Sequence, residues 1–246
     1  MSDKLFGLVG KNIDYSFSKK FFSKKFSKEP FLNCDYQNFD IPEIEYFPEI
    51  IKNNPNLIGF NVTIPYKEII IPYLDKLSTK AAKIGAVNVI RFTKTRKLKG
   101  YNSDCYGFKK SLKPLLYSHH KKALILGTGG SSKAVAFALD ELNITFTFVS
   151  REPKESAIDY NRINATTFDN YHIIINCTPL GTSPNTKEYP PIPYEFFTEK
   201  HIAFDLIYNP KETQFLKKAK KKGAVCQNGL DMLIFQAEKS WKIWNK

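Results

Sequence analysis

The sequence predicts an α/β protein in two domains. Three observations carry that expectation. Short apolar runs rich in β-branched residues alternate with helical patterns along nearly the whole chain. One of these runs leads through a glycine turn straight into an amphipathic helix. The chain has 246 residues, 42% of them hydrophobic and 25% charged, enough for a substantial core in one or two domains.

Strands are expected over 5–9, 34–39, 57–62, 87–91 and 97–102, with helices over 17–26, 43–52 and 78–84 between them. A second series follows, with strands over 123–126, 145–149, 173–176, 201–205 and 224–226 and helices over 131–142 and 213–221. Alternation of this kind implies parallel sheets. The proline-rich stretch 184–193 reads as a loop. Leu233, Ala237, Trp241 and Trp244 fall at helical spacing, so 230–244 is expected to bury one face.

Charge and cysteines narrow the class. The net charge of +13 raises nucleic-acid binding as a reading. Of the 37 basic residues, however, 33 are Lys and 4 are Arg, a lysine-rich background that matches AT-rich coding rather than a recognition surface. The run 217–222 holds five lysines and reads as the solvated C-terminal end of a helix, where cations suit the dipole. No apolar run approaches the ~20 residues of a membrane span, and the N-terminus lacks a signal-peptide core. Cys34, Cys105, Cys177 and Cys226 are widely spaced, which argues against a zinc site or disulfide framework and for reduced thiols in the cytoplasm.

The segment from Ala123 to Ala134 carries the clearest chemistry. It reads strand, G-x-G-G-x-x-x-A, helix. Gly127 permits a tight turn, Gly129 lets the backbone approach a pyrophosphate, and Gly130 and Ser131 open a helix whose free N–H groups face the anion. The next strand ends in Ser150-Arg151 rather than in the acidic residue usual for NAD sites. A hydroxyl and a guanidinium suit a 2′-phosphate, so NADP is favoured. Glu152 opposes this locally and Lys154 restores positive charge.

Four short polar segments mark the first half: Ser16 and Ser18 around Phe17, Asn61 to Lys67, Gly85 to Asn88, and Asn102 to Asp104. Each lies at a predicted strand end or helix start, where open α/β sheets bind ligands. Read singly, the serines are also helix caps and the asparagines turn residues. A Lys and an Asp converging from separate loops would form a proton-transfer pair.

Together these motifs resemble the shikimate dehydrogenase family from about Phe6 to Trp244. An H-S-x-S-P motif is answered by Tyr15-Ser16-Phe17-Ser18-Lys19, and N-V-T-x-P-x-K is complete from Asn61 to Lys67. G-A-V-N-T appears as Gly85 to Val89, and G-x-N-T-D as Gly100 to Asp104. In the second half stand the glycine turn, Asn176-Cys-Thr178-Pro-Leu-Gly181, Asp205-Leu-Ile-Tyr208-Asn-Pro210 and Gly229 to Gln236. The departures are Tyr15 for His, Lys19 for Pro, Val89 and Ser103 for Thr, and Thr182 for Met.

The resemblance implies NADPH-dependent, reversible reduction of 3-dehydroshikimate to shikimate. It implies Lys67 as the catalytic residue paired with Asp104. Ser16, Ser18 and Tyr208 would hold the substrate carboxylate, and Asn61, Thr63, Asn88, Asp104 and Gln236 the ring hydroxyls and reacting oxygen. Gly127, Thr128, Gly129, Gly130, Ser131, Ser150, Arg151 and Thr178 would hold NADP, with Leu206, Gly229 and Met232 bordering the nicotinamide. The expected domains are a substrate-binding domain, 1–106 completed by 230–246, and a Rossmann-type NADP-binding domain, 107–229, with a cleft between them. A small-molecule substrate, a monomer or homodimer, and no metal, nucleic-acid or membrane partner complete the expectation. The rival readings are a quinate/shikimate dehydrogenase using NAD or NADP, a non-catalytic nucleotide-binding regulator, and a nucleic-acid binder.

Overall fold

The computed structural model describes residues 3–14, 16–27, 33–152 and 157–246. Tyr15 and Lys154 lie outside the described residues. The chain separates into two compact units, residues 1–103 with 237–246, and residues 104–236.

The first unit is built on a six-stranded sheet. Strand β1 (Lys4–Gly10) lies between β2 (Cys34–Asp40) and β3 (Leu57–Val62), parallel to both. The two-residue strand β4 (Lys76–Leu77) runs parallel to β6 (Leu98–Tyr101) at the far edge. Here one expectation is corrected. Strand β5 (Val89–Phe92) is antiparallel to both β3 and β6, so this sheet is mixed. The five residues 93–97 close a hairpin, with Thr93 N–H on the Lys97 carbonyl at 2.8 Å and Arg96 left-handed at φ 58°. A parallel return would need a crossover of a dozen residues or more.

Helices α1 (Phe17–Phe26), α2 (Phe47–Asn53) and α3 (Thr79–Ile84) accompany these strands. The helix expected from residue 43 begins later because Pro48, which has no N–H to donate, suits only a first turn. A 3-10 turn over Ile44–Tyr46 fills the gap. Aromatic rings dominate the core: Phe22 stacks on Tyr36 at 4.8 Å, and Phe6 meets Trp244 at 4.8 Å. The indole of Trp244 donates to the Ile90 carbonyl at 3.0 Å, tying the C-terminus to β5. Gly59 is required there, because a Cβ would stand 2.5 Å from both that carbonyl and the indole nitrogen.

The second unit carries a six-stranded, wholly parallel sheet. Its strands are β7 (Lys122–Leu126), β8 (Thr145–Val149), β9 (Ala157–Ile158), β10 (Ile173–Asn176), β11 (Ile202–Asp205) and β12 (Val225–Gln227), in spatial order 12-11-10-7-8-9. Helices α4 (Asp104–Leu112), α5 (Gly130–Asp140), α6 (Ala165–Asn170) and α7 (Gln214–Lys220) belong to this unit, and the unit boundary falls within α8 (Leu230–Trp244). Sequence patterning missed α4, whose buried face includes the small or polar residues Cys105, Gly107 and Ser111. The span between Arg151 and Ile173 is short, and its helix α6 has only six residues. Lys217, Lys218 and Lys220 occupy the last turn of α7, as the lysine run implied. Among the described residues no helix is long and apolar enough to cross a membrane, no group of His, Cys, Asp or Glu could hold a metal ion, and the four cysteines are free.

All four histidines gather near the N-terminal ends of β7, β10 and β11. Successive ring centroids along His120, His119, His172 and His201 lie 4.1, 5.4 and 5.4 Å apart. Backbone N–H groups of Tyr117 and Thr198 donate to Nδ1 of His120 and His201 at 2.9 and 3.0 Å. Each Nδ1 is therefore an acceptor, and each Nε2–H donates to a carbonyl, of Lys200 and Phe168 respectively. Burial holds both rings below the ordinary histidine range; neighbouring histidines add to this, and Asp169 opposes it at His201. Below pH 6.5 the unfolded chain takes up protons that these folded rings resist, so their contribution to stability is lost as pH falls. Melting temperatures measured from pH 7.5 to 5.5 should drop, and the drop should be shallower in His120→Gln and His201→Gln.

Candidate functional site

Strand direction gathers the polar segments of the first unit on one sheet edge. Ser16 and Ser18 follow β1, Thr63 and Lys67 follow β3, and Ser103 follows β6. Asn88 precedes β5. Because β5 runs antiparallel, pairing Val89 with Asn61, its start shares the edge where β3 ends. In the all-parallel sheet expected from sequence, Asn88 would lie at the opposite edge.

Hydrogen bonds join these residues into a buried network. The Tyr36 hydroxyl donates to Asn61 Oδ1 at 2.9 Å, and Asn61 Nδ2 donates to the Asn88 carbonyl at 3.2 Å and to Ser240 Oγ at 3.0 Å. Asn88 Oδ1 accepts from the Ser103 N–H at 2.7 Å, while Asn88 Nδ2 donates to Ser103 Oγ at 3.0 Å. Both N–H groups of Asn61 are thus committed inside the chain, and a lone pair on its Oδ1 remains for a ligand. Burial pushes the Tyr36 phenol far up, so it stays a protonated donor. Its single proton goes to Asn61, and the neighbouring Ser18 hydroxyl favours the charged form without overcoming the burial. Ser16 caps α1 by accepting from the Lys19 N–H at 3.4 Å, which leaves its own proton to donate.

Thr63 and Lys67 lie on a tight turn closed by Tyr66 N–H on the Thr63 carbonyl at 2.9 Å. The Tyr66 hydroxyl anchors this turn on the Ile41 carbonyl at 2.7 Å, and the Val87 N–H holds the Lys67 carbonyl at 2.7 Å. Thr63 and Lys67 are half-buried. Asp104 opens α4 and Gln236 lies on α8; both are buried members of the second unit.

In the second unit the C-terminal strand ends carry the remaining predicted residues. Chain order runs outward from β7 through β8 to β9, then resumes at β10 on the other side of β7. The turns after β7 and β10 therefore diverge from adjacent strands, which is where doubly wound sheets bind ligands. Gly127 adopts φ +102°, and a Cβ there would meet the Thr178 methyl at 3.2 Å. Gly129 is the N-cap of the eleven-residue α5, with no side-chain cap. Apart from its own chain neighbours, no heavy atom lies within 4 Å of a Cβ built on it. Thr128 is exposed, and Gly130 and Ser131 are half-buried in the first turn. Open space above a glycine at a helix N-terminus fits a pyrophosphate.

Past β8, Ser150 Oγ donates to the Glu152 carbonyl at 3.1 Å and accepts its N–H at 3.3 Å, leaving Arg151 exposed at the tip. The residues present therefore fit a phosphorylated dinucleotide. Leu206 and Tyr208 follow β11 and are half-buried. Gly229 leads into α8 so closely under Leu206 that a Cβ would collide with its carbonyl. Met232 is buried one turn on.

Sequence reading assigned no role to Tyr36, Ser240, Asn176, Asp205 or Thr213. Asn176 and Asp205 did carry a signal, a polar residue directly ending an apolar strand. Tyr36 and Ser240 carried none, since their partners lie 25 and 179 residues away.

The chain is similar in sequence and in fold to known proteins. Residues 8–90 match a model described as the shikimate dehydrogenase substrate binding domain. The chain is 40% identical to a shikimate dehydrogenase (NADP(+)) of Clostridium botulinum, over 97% of this chain and 95% of that protein. It is also similar to a crystal structure of shikimate dehydrogenase from Aquifex aeolicus, with TM-score 0.87, 33% identity and coverage of 98% and 92%. A shikimate 5-dehydrogenase from Thermus thermophilus, solved with NADP(H) and shikimate, matches with TM-score 0.86, 30% identity and coverage of 98% and 93%.

The two glycines that flank the site should behave oppositely on substitution. Gly229→Ala should lower unfolding stability by ~2–3 kcal/mol through overpacking against Leu206. Gly129→Ala should cost under about 1 kcal/mol, because only the cap preference changes. Urea denaturation of the two variants beside the parent checks both.

Proposed function

The chain belongs to the shikimate dehydrogenase family, and we propose that it reduces 3-dehydroshikimate reversibly to shikimate with NADPH. The step belongs to aromatic amino-acid biosynthesis, and the proposed setting is the cytoplasm, as a monomer or homodimer. The observation that carries the reading is the single sheet edge on which Ser16, Asn61, Thr63, Lys67 and Asn88 gather. It supplies a free hydroxyl proton, amide and hydroxyl groups, and one ammonium.

In this reading the bound nicotinamide supplies hydride to the carbonyl carbon of the substrate. Gly127 to Ser131 hold its pyrophosphate, Ser150 and Arg151 its 2′-phosphate, and Leu206, Gly229 and Met232 border the ring. Arg151 makes the specific charge contact, since a planar guanidinium binds phosphate through two parallel donors. The Ser16 hydroxyl donates to the substrate carboxylate, with Ser18 and Tyr208 completing that end. Asn61, held on three sides, and Asn88, held by Ser103, offer fixed acceptors and donors to ring hydroxyls. Thr63 and Gln236 do the same. Fixed groups need no reorganisation as charge develops.

Lys67 is the proposed acid. Its ammonium stabilises negative charge growing on the carbonyl oxygen and gives that oxygen a proton. The Asp104 carboxylate is the proposed partner that orients the ammonium. In the reverse direction Lys67 takes the hydroxyl proton back.

Following cofactor absorbance with shikimate or quinate, and NADP or NAD, tests the assignment in four combinations. Shikimate with NADP should be fastest, and a preference for quinate or for NAD would overturn the assignment. Lys67→Ala should lower kcat by about 10²–10⁴-fold, the usual span of acid–base catalysis, with NADPH binding largely kept. Ser16→Ala should raise the Michaelis constant for shikimate and change kcat less.

A further inference from the structure

Asp205 is fully buried at the end of β11 and has no part in the chemistry described above. Its two oxygens are shared among three donors. Oδ1 accepts from the Ile207 N–H at 3.0 Å and from Asn176 Nδ2 at 3.1 Å. Oδ2 accepts from the Thr213 hydroxyl at 2.6 Å, and Thr213 Oγ1 also caps α7 through the Leu216 N–H at 3.3 Å. The carboxylate thus joins the end of β10, its own following loop and the start of α7.

The bond to Asn176 has a directional effect. An asparagine amide presents an oxygen on one side and an NH2 on the other, and nothing in its shape decides which faces where. A carboxylate accepts only, so it draws Nδ2 toward itself at 3.1 Å, with the Leu180 carbonyl a longer second acceptor at 3.4 Å, and turns Oδ1 the other way. There Oδ1 takes the Thr178 hydroxyl at 2.6 Å and the Thr178 N–H at 3.0 Å. The Leu180 N–H closes on Thr178 Oγ1 at 3.3 Å. Thr178 is fixed in consequence, and its methyl lies over Gly127, the glycine that turns the chain at φ +102°.

We infer that Asp205 is a positioning residue for the dinucleotide loop, acting through Asn176 and Thr178 to hold the Gly127 turn in the shape that accepts a pyrophosphate. The inference rests on the cofactor reading above and adds to it a residue that touches neither cofactor nor substrate. Burying one carboxylate is costly, and three donors offset that cost only in part, while the carboxylate in turn keeps the amide from flipping.

The test is Asp205→Asn, which keeps size and shape but removes the charge and replaces one of the two acceptor oxygens with an NH2. NADPH affinity is read by titrating reduced-nicotinamide fluorescence, and Michaelis constants are read in parallel. The expected result is at least tenfold weaker NADPH binding, with the Michaelis constant for shikimate changed less than threefold at saturating cofactor. In a Thr178→Val background the same Asp205→Asn change should weaken NADPH binding less than threefold further, because the chain of bonds is already cut. A residue that served stability alone would lower the melting temperature and leave the affinity of the folded protein unchanged; that result overturns the inference. Fully additive effects of the two substitutions overturn it as well. Should Asp205→Asn fail to fold, Asn176→Ala reads the same chain, and unchanged affinity there is equally fatal. Failure of the cofactor reading is distinguishable: the parent protein itself would then bind no NADPH, and this inference would fall with it.

Discussion

In the second unit β7 pairs in parallel with β10 on one side and with β8 on the other, and the chain leaves these strands in divergent directions. The gap this opens above Gly127 is bounded by the Thr178 loop and by the first turn of α5. Every residue assigned to the dinucleotide depends on that pairing. Were β10 added beyond β9 instead, Thr178 would be carried two strands away from Gly127. The side chains that end the strands, Asn176 and Asp205, lie at the same level of the sheet because β10 and β11 pair in register, Asn176 opposite Asp205. Parallel register therefore makes their hydrogen bond possible, and that bond in turn fixes the loop.

Burial of polar groups follows one logic in both units. Asn61, Asn88, Ser103 and Ser240 are nearly inaccessible, and each has hydrogen-bond partners. An unsatisfied group in such a place would cost a few kcal/mol, so a closed network holds its members to one geometry. Ionisation of Asp205 is dearer still. Burial raises its carboxyl to about 6 although Thr213, Ile207 and Asn176 all favour the charged form. By linkage, its contribution to stability is full below the ordinary carboxylate range and is lost as pH rises through 6. The protein thus keeps a buried carboxylate at that position at some cost to its own stability.

The lysine-rich surface is a background rather than a signature. The run after Leu216 closes α7, where cations suit the helix dipole, and Lys218 lies over the rings of Tyr189 and Tyr194. At 33 lysines the field is broad and mildly attractive to any anion. Selectivity needs geometry, and the groups proposed to supply it are few: the Ser16 proton, the Lys67 ammonium and the Arg151 guanidinium.

The sequence by itself determined what short-range chemistry can determine. The strand, glycine turn and helix from Lys122 to Asp140 were legible because only glycine takes φ +102° easily and because α5 begins where side-chain bulk disappears. The cap at Ser16 and the closing lysines of α7 were legible for the same local reasons. Tertiary structure decided the rest. It turned β5 antiparallel and so brought Asn88 to the edge shared with Asn61. It set Ser16 to accept from the Lys19 N–H, which leaves its own proton available. It committed the amide of Asn61 to Ser240, 179 residues distant, and that of Asn176 to Asp205, 29 residues distant. A donor's identity is written in the residue type. Where its proton goes depends on which acceptor the folded chain brings within 3 Å, and no local spacing carries that information.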